Sequence, residues 1–110
     1  MTKIHRLLLV LFLFSTQFVN GQSLLTGSVS DKDDNSALSG VNIIITSFLD
    51  STQTLGGITD NSGNFSIKVP PRGRYNVVFK FIGYDFYSTM FSATGEIVNL
   101  GKIQLSQNVN

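Results

Sequence analysis

Hydrophobic and polar residues alternate one by one along much of the chain after residue 22. Residues 65–69 have aromatic or aliphatic side chains at the odd positions, with Ser66 and Lys68 between them. Residues 75–81 repeat this pattern over a longer stretch. A period of two residues is typical of a β-strand that buries one face, and β-branched and aromatic residues favour that conformation. The pattern therefore predicts strands rather than helices.

Turn signals divide these apolar runs into short segments. Clusters of Asp, Asn, Ser, Gly and Pro occupy residues 31–36, 60–63 and 70–73. Short strands with closely spaced turns are typical of an antiparallel sandwich or barrel. The sequence predicts an all-β fold, an antiparallel seven-stranded β-sandwich. Its predicted strands are residues 25–30, 41–45, 52–59, 65–69, 75–81, 86–90 and 103–105.

The first 21 residues have the composition of a secretory signal peptide. Lys3 and Arg6 precede an unbroken apolar run, residues 7–14, and small or aliphatic Val19 and Gly21 precede a cleavage point. The run is shorter than the roughly 20 residues that a membrane-spanning helix needs. We therefore expect export, cleavage before residue 22, and one folded domain at residues 22–110.

The charge of residues 22–110 does not favour nucleic acid as a partner. The leader contains Lys3 and Arg6, which leaves six basic residues against seven acidic residues in the predicted domain. Nucleic-acid binding needs clustered positive charge, and no such cluster occurs. The chain has no cysteine, so the fold cannot contain a disulfide.

Candidate catalytic chemistry is sparse. The only histidine, His5, lies in the leader, so the predicted domain lacks the commonest general base, thiolate nucleophile and zinc ligands. No phosphate-binding glycine loop and no serine-hydrolase motif is present. The sequence predicts a protein that is not an enzyme and has no cofactor.

The polar stretch 60–64 has two possible interpretations, a metal-binding loop and a turn between strands. A calcium loop needs several converging carboxylates, whereas Asp60 is the only one here. Asp60 can accept hydrogen bonds from the backbone that follows it, and Gly63 can adopt a positive φ. The predicted role of Asp60 and Gly63 is a tight hairpin turn between two strands.

The loop at residues 31–36 is a better source of calcium ligands. It has side-chain oxygens at Asp31, Asp33 and Asn35, but Ser36 and Asn42 occupy positions where an EF-type loop has glycine and glutamate. A solvated surface loop is the favoured interpretation, and calcium at residues 31–35 stays open as an alternative.

An ordered series of short motifs resembles a known family. The series consists of G-x-V-x-D at 27–31, L-x-G-V at 38–41, T-D-x-x-G-x-F at 59–65, G-x-Y at 73–75 and I-G-Y at 82–84. Together they resemble the carboxypeptidase regulatory-like domain, a transthyretin-like Greek-key sandwich. Such domains stand at the N-terminus of many Bacteroidetes outer-membrane proteins related to TonB-dependent receptors. Ala37 and Gly57 depart from the usual residues of the family, without affecting the fold that the resemblance implies.

The resemblance implies a non-catalytic exported module, the accessory or interaction domain of a TonB-dependent receptor-like outer-membrane protein. It implies a location in the periplasm or outer membrane and a protein partner, namely a barrel, a plug or a periplasmic protein. Contact with the membrane would occur only through a barrel partner or a downstream region. Because no barrel follows residue 110, we expect a truncated or free-standing domain. Gly73 and Gly83 are expected to serve as turn residues.

The expected contact surface includes acidic loop residues and tyrosines. Its members are the loops at residues 31–36 and 47–54 and the region 83–87, with Asp31, Asp33, Asp34, Tyr84 and Tyr87 as the candidate residues. Two alternatives remain. Exposed aromatic rings would suit a carbohydrate- or surface-binding module, and the same fold occurs as an accessory domain of metallopeptidases.

Overall fold

The computed structural model describes residues 21–108, and the predicted signal peptide lies outside this range except for its last residue. Within the described residues, no helix is long and apolar enough to cross a membrane. Seven strands form the domain: β1 Ser23–Asp31, β2 Asn42–Ser47, β3 Thr54–Ile58, β4 Asn64–Val69, β5 Gly73–Lys80, β6 Tyr87–Ala93 and β7 Ile97–Leu105.

The strands form two sheets, which confirms the predicted seven-stranded β-sandwich. Sheet A has the order β4-β1-β7, and sheet B has the order β3-β2-β5-β6. Four of the five pairings are antiparallel, as expected, but β1 and β7 are parallel. The reason lies in the connection before β7. The amide of Gly95 donates to Ser23 Oγ at 2.7 Å, and the amide of Leu24 donates to the carbonyl of Glu96 at 3.2 Å. The loop is thereby held at the start of β1, so β7 runs in the same direction.

Strand β7 is much longer than the predicted segment 103–105. It contains an irregularity, because its register against β1 shifts between Thr26 and Ser28. Gly101, with a φ of 73°, lies opposite this shift. After an extra residue in a strand, the positions that face the core change from even to odd residue numbers, or from odd to even. The apolar positions therefore change from even (Val98) to odd (Ile103), and this change hid the strand from a search for strict alternation.

The hydrophobic core lies between the two sheets. Odd-numbered residues of β2, β4 and β5 point into it, as the alternation predicted. The buried apolar residues are Leu25, Val29, Leu38, Val41, Ile43, Ile45, Phe65, Ile67, Val69, Tyr75, Val77, Phe79, Phe91, Ala93, Ile103 and Leu105.

The turn at residues 60–63 is present, but it does not form a hairpin. Asp60 Oδ1 accepts hydrogen bonds from the amides of Ser62 and Asn64, both at 2.9 Å. Gly63 has a φ of 79°, and a Cβ atom there would lie 2.6 Å from the carbonyl oxygen of Val29. The amide of Val29 also donates to the carbonyl of Gly63, at 2.8 Å. This bond directs the chain to sheet A, so the turn links β3 to β4 in different sheets. The hairpin prediction is wrong on this point.

The other two predicted turn residues also have left-handed backbone conformations. Gly73, at the start of β5, has a φ of 130°, and Gly83, between β5 and β6, has a φ of 85°. The amide of Tyr84 closes the turn around Gly83 by donating to the carbonyl of Phe81 at 3.0 Å. Both glycines therefore lie where the chain leaves or enters a strand.

Candidate interaction surface

Asp31 does not lie on the surface that the sequence suggested, because its side chain is buried and only 1% exposed. Its Oδ2 accepts hydrogen bonds from the hydroxyl of Tyr84 at 2.6 Å and from Nε2 of Gln107 at 2.9 Å. Its Oδ1 accepts from the amides of Asp33 at 2.7 Å and Asp34 at 3.2 Å. The carboxylate therefore joins three parts of the chain: its own loop, the β5–β6 connection and the segment after β7.

These hydrogen bonds change the acidity of both partners. Together they lower the pKa of Asp31 to about 2. The hydrogen bond from the Tyr84 hydroxyl contributes most to this shift, followed by the bond from Gln107, and the loop amides add to it. Donors that stabilise a carboxylate favour its charged form. The same contact raises the pKa of Tyr84, since a phenolate would face the carboxylate of Asp31.

Acid is therefore expected to weaken the fold through Asp31. The pKa of this group falls from 3.8 to about 2 on folding. The folded state then binds fewer protons than the unfolded state, so the stabilisation is complete above pH 4 and is lost as the pH falls towards 2. Urea denaturation at pH 7, 4, 3 and 2 should show this loss in the native chain. Asp31→Asn should be less stable at pH 7 and should lose less stability between pH 4 and 2.

Asp33→Asn is the matched control, because Asp33 is exposed and follows Asp31 in the same loop. It should keep the pH dependence of the native chain. Tyr84→Phe removes the largest cause of the lowered pKa, so this variant should lose less stability than the native chain as the pH falls from 4 to 2. If Asp31→Asn and the native chain lose the same stability below pH 4, the assignment to Asp31 is wrong.

The remaining predicted surface residues are divided between two places. Asp33 and Asp34 lie on the exposed 31–36 loop, where Asp34 Oδ1 accepts from the amide and hydroxyl of Ser36 at 2.9 and 2.7 Å. Lys102 Nζ donates to Asn35 Oδ1 and ties this loop to β7. Within residues 21–108, no three His, Cys, Asp or Glu side chains come together as a metal site.

The two tyrosines differ in their surroundings. The ring of Tyr84 packs against Phe81 with centroids 5.5 Å apart, and its hydroxyl is bonded to Asp31. Tyr87 is 41% exposed, packs against Phe79 at 6.1 Å and lines an open cleft of about 390 Å³ beside Lys102. Of these two tyrosines, only Tyr87 therefore offers an accessible ring face, and its role in binding stays a prediction.

Apolar side chains are also exposed on the outer face of sheet B. Ile44 of β2 is paired with Val78 of β5, and both are partly exposed on the side away from the core. Ile58 of β3, paired with Asn42, and Met90 of β6, paired with Asn76, lie diagonally from this pair on the same face, and they are 62% and 54% exposed. Gly56, also paired with Ile44, leaves the surface without a side chain at that position. We call these apolar residues and their flanking cations the outer face of sheet B.

Two cations stand at opposite ends of this face. The guanidinium carbon of Arg74 lies 5.5 Å from the ring centroid of Phe48, and Nζ of Lys80 lies 4.8 Å from that of Phe86. Both rings are exposed, by 53% and 70%. The strands of sheet B contain no acidic residue. The face therefore has the apolar pair Ile44 and Val78 at its centre, polar residues beside this pair and a cation at each end.

Sequence reasoning missed this face although the signal was present. Residues 43–45 and 77–79 are each three consecutive apolar residues, which interrupts the alternation. Such a run places apolar side chains on both faces of a strand. Its outward members, Ile44 and Val78, mark the outer face of sheet B.

Several solved structures share the fold at low sequence identity. The TIE protein of Bacillus anthracis has a TM-score of 0.62 and 21% identity over 79% of this chain and 17% of that one. 3-Chlorocatechol 1,2-dioxygenase from Rhodococcus opacus has a TM-score of 0.62 and 11% identity over 80% of this chain and 61% of that one. The C-terminal domain of the shaft pilin spaA from Lactobacillus rhamnosus GG has a TM-score of 0.56 and 15% identity over 77% of this chain and 97% of that one.

The chain spans less than two thirds of the first two of these structures, and identities this low show the fold alone. No curated protein matches the chain by sequence. The family assignment comes from the ordered motifs and from a family model that covers nearly the whole described domain. The CarboxypepD_reg-like domain model matches residues 25–110, and the chain belongs to this family.

Proposed function

We propose that this domain is a non-catalytic interaction module of an exported protein, the accessory domain of a TonB-dependent receptor-like outer-membrane protein. The observation that carries the proposal is the outer face of sheet B. Four apolar side chains are exposed or partly exposed there on one face, and clustered apolar surface with a polar rim is typical of binding sites. The fold by itself does not decide the matter, since one similar structure is an enzyme.

The chemistry of the face indicates what its partner offers. Ile44 and Val78 need an apolar surface, while Arg74 and Lys80 favour acidic groups at the two ends. Each cation is held over an aromatic ring, which is worth about 0.5–1 kcal/mol at an exposed site. A barrel, a plug or a periplasmic protein with an apolar patch between acidic residues would fit this face. The proposal places the domain in the periplasm or at the outer membrane.

Site-specific photo-crosslinking in native cells tests this function. A photoreactive phenylalanine analogue in place of exposed Phe86 or Ile58 would lie on the outer face of sheet B. The expected result is a crosslink to an outer-membrane or periplasmic protein, identified by mass spectrometry after cell fractionation. Reversing charge with Arg74→Glu and Lys80→Glu should lower the yield several-fold, because the altered ends of the face would repel an acidic partner.

The matched control places the same analogue at Ser66, which is exposed on β4 of sheet A. It should capture little of the same protein. Equal capture from Ser66, or a crosslinking yield that neither charge reversal changes, would contradict a specific role for this face. Absence of the domain from the periplasmic and outer-membrane fractions would contradict the proposed location.

A further inference from the structure

Within residues 21–108, the two sheets leave four strand edges without a neighbouring strand: β4 and β7 in sheet A, and β3 and β6 in sheet B. A free edge presents unpaired amides and carbonyls, which can pair with another chain. Proteins block such edges with charged residues, proline, bulges or short strands. The four edges of this domain differ in how they are blocked.

Three edges carry a blocking feature and β6 does not. Strand β4 has Lys68 and is followed by Pro70, while β7 has a register shift and Lys102. Strand β3 is shorter and contains a pair of glycines. Strand β6, Tyr87–Ala93, has no charged residue, glycine or proline, and it pairs with β5 in unbroken register. Of these four edges, β6 is therefore the one without a blocking feature.

The register identifies which backbone groups of β6 are free. The amide of Phe48 donates to the carbonyl of Arg74, so even-numbered residues of β5 bond to β2. Hydrogen-bonded pairs recur at every second residue of an antiparallel ladder. Odd-numbered residues of β5, such as Val77, therefore bond to odd-numbered residues of β6, such as Thr89. The free amides and carbonyls of β6 belong to Ser88, Met90 and Ser92.

We propose that β6 of one copy of this chain pairs antiparallel with β6 of a second copy, about a two-fold axis at Met90. This arrangement places every free backbone group opposite a free group of the other copy. Ser88 then faces Ser92 of the second copy, where their hydroxyls can hydrogen-bond. No like charges meet, because β6 contains none.

The symmetry of the β6 sequence is what favours a second copy over an unrelated strand. Ser88 and Ser92 are each two residues from Met90, so each serine of one copy faces a serine of the other. The strand has no charge that would need an opposite charge on a partner. Pairing would also join the two B sheets and bring Met90 of each copy together on a continuous outer face. The contact of single edges is small compared with the ~1,600 Å² of a standard interface, so the dimer is weak and concentration-dependent.

Sedimentation velocity of the exported chain over a wide concentration range tests the pairing. The expected result is a reversible monomer–dimer equilibrium. Met90→Lys and Met90→Glu should each raise the dissociation constant at least tenfold, because two like charges would meet at the axis. Mixing the two variants should restore dimers, since Lys then faces Glu. Ile58→Lys, on the exposed β3 edge, is the matched control and should leave the constant unchanged.

Amide hydrogen exchange by NMR gives an independent readout on the native chain. Raising the protein concentration should protect the amides of Ser88, Met90 and Ser92, while Thr89, already bonded to β5, should not change. A chain that stays monomeric at every concentration overturns the proposal. So do open-ended oligomers, equal weakening by Ile58→Lys, or mixed Met90 variants that fail to pair. These outcomes concern purified protein and leave the crosslinking test of the outer face separate.

Discussion

Replacing Phe79 by alanine is expected to lower the free energy of unfolding by about 3–5 kcal/mol. Phe79 is fully buried, and its ring lies between those of Phe65, at 5.6 Å, and Tyr87, at 6.1 Å. It thus joins the two sheets at the centre of the core. Truncation removes the apolar contacts and leaves a cavity that the rigid strands cannot fill. Urea denaturation at neutral pH measures the loss.

Phe86→Ala is the matched control, because Phe86 is 70% exposed and contacts Lys80 on the surface. Its loss should not exceed about 1 kcal/mol, the scale of an exposed cation–π contact. Phe79→Leu gives an intermediate variant that keeps most of the apolar volume. Similar losses for Phe79→Ala and Phe86→Ala would contradict the assignment of the core to the face of β5 that carries Phe79.

Strict alternation identified most of the strands because it reports directly which face of a strand is buried. It located the buried positions of β4 and β5 correctly. It failed at β7, where the bulge near Gly101 changes the parity of the apolar positions. It could not assign strands to sheets either. The turn made by Asp60 and Gly63 has the same local chemistry whether the next strand pairs with β3 or crosses to sheet A. In this fold β4 pairs with β1, and the bond from Val29 to Gly63 lies at the start of that pairing.

The candidate surface was harder to predict than the fold. An aspartate in a polar loop suggests a solvated side chain, yet Asp31 shares the parity of Leu25 and Val29 on β1 and so points inwards. That parity was readable from the sequence. Its partners Tyr84 and Gln107 were not, since they lie 53 and 76 residues further along the chain.

The edge position of β6 is also a tertiary property. Nothing local in its sequence states that one side of the strand lacks a neighbour, because that depends on the order β3-β2-β5-β6. The absence of charged residues from β6 indicates an unblocked edge only when this strand order is known. Interaction surfaces of this kind depend on which strands end a sheet, and alternation along one strand does not contain that information.

Thr59→Val is expected to destabilise the domain by about 2–6 kcal/mol, although the two side chains have the same shape. Thr59 is only 3% exposed. Its hydroxyl donates to the carbonyl of Leu38 at 2.7 Å and accepts from the amide of Val41 at 2.9 Å. Valine would leave both backbone groups buried without these partners, and each such group costs about 1–3 kcal/mol. Thr59 thus holds the entry to β2 against the end of β3.

Thr59→Ser separates the hydroxyl from the methyl group. Serine keeps both hydrogen bonds and loses one buried methyl, a cost of about 1 kcal/mol. Urea denaturation of the three proteins should therefore place Thr59→Ser close to the native chain and Thr59→Val well below it. The opposite order would mean that Thr59 acts by packing. The expected order gives the threonine of the T-D-x-x-G-x-F motif a structural role of its own, because its hydroxyl fixes the backbone on one side of the turn while the neighbouring Asp60 carboxylate fixes the other.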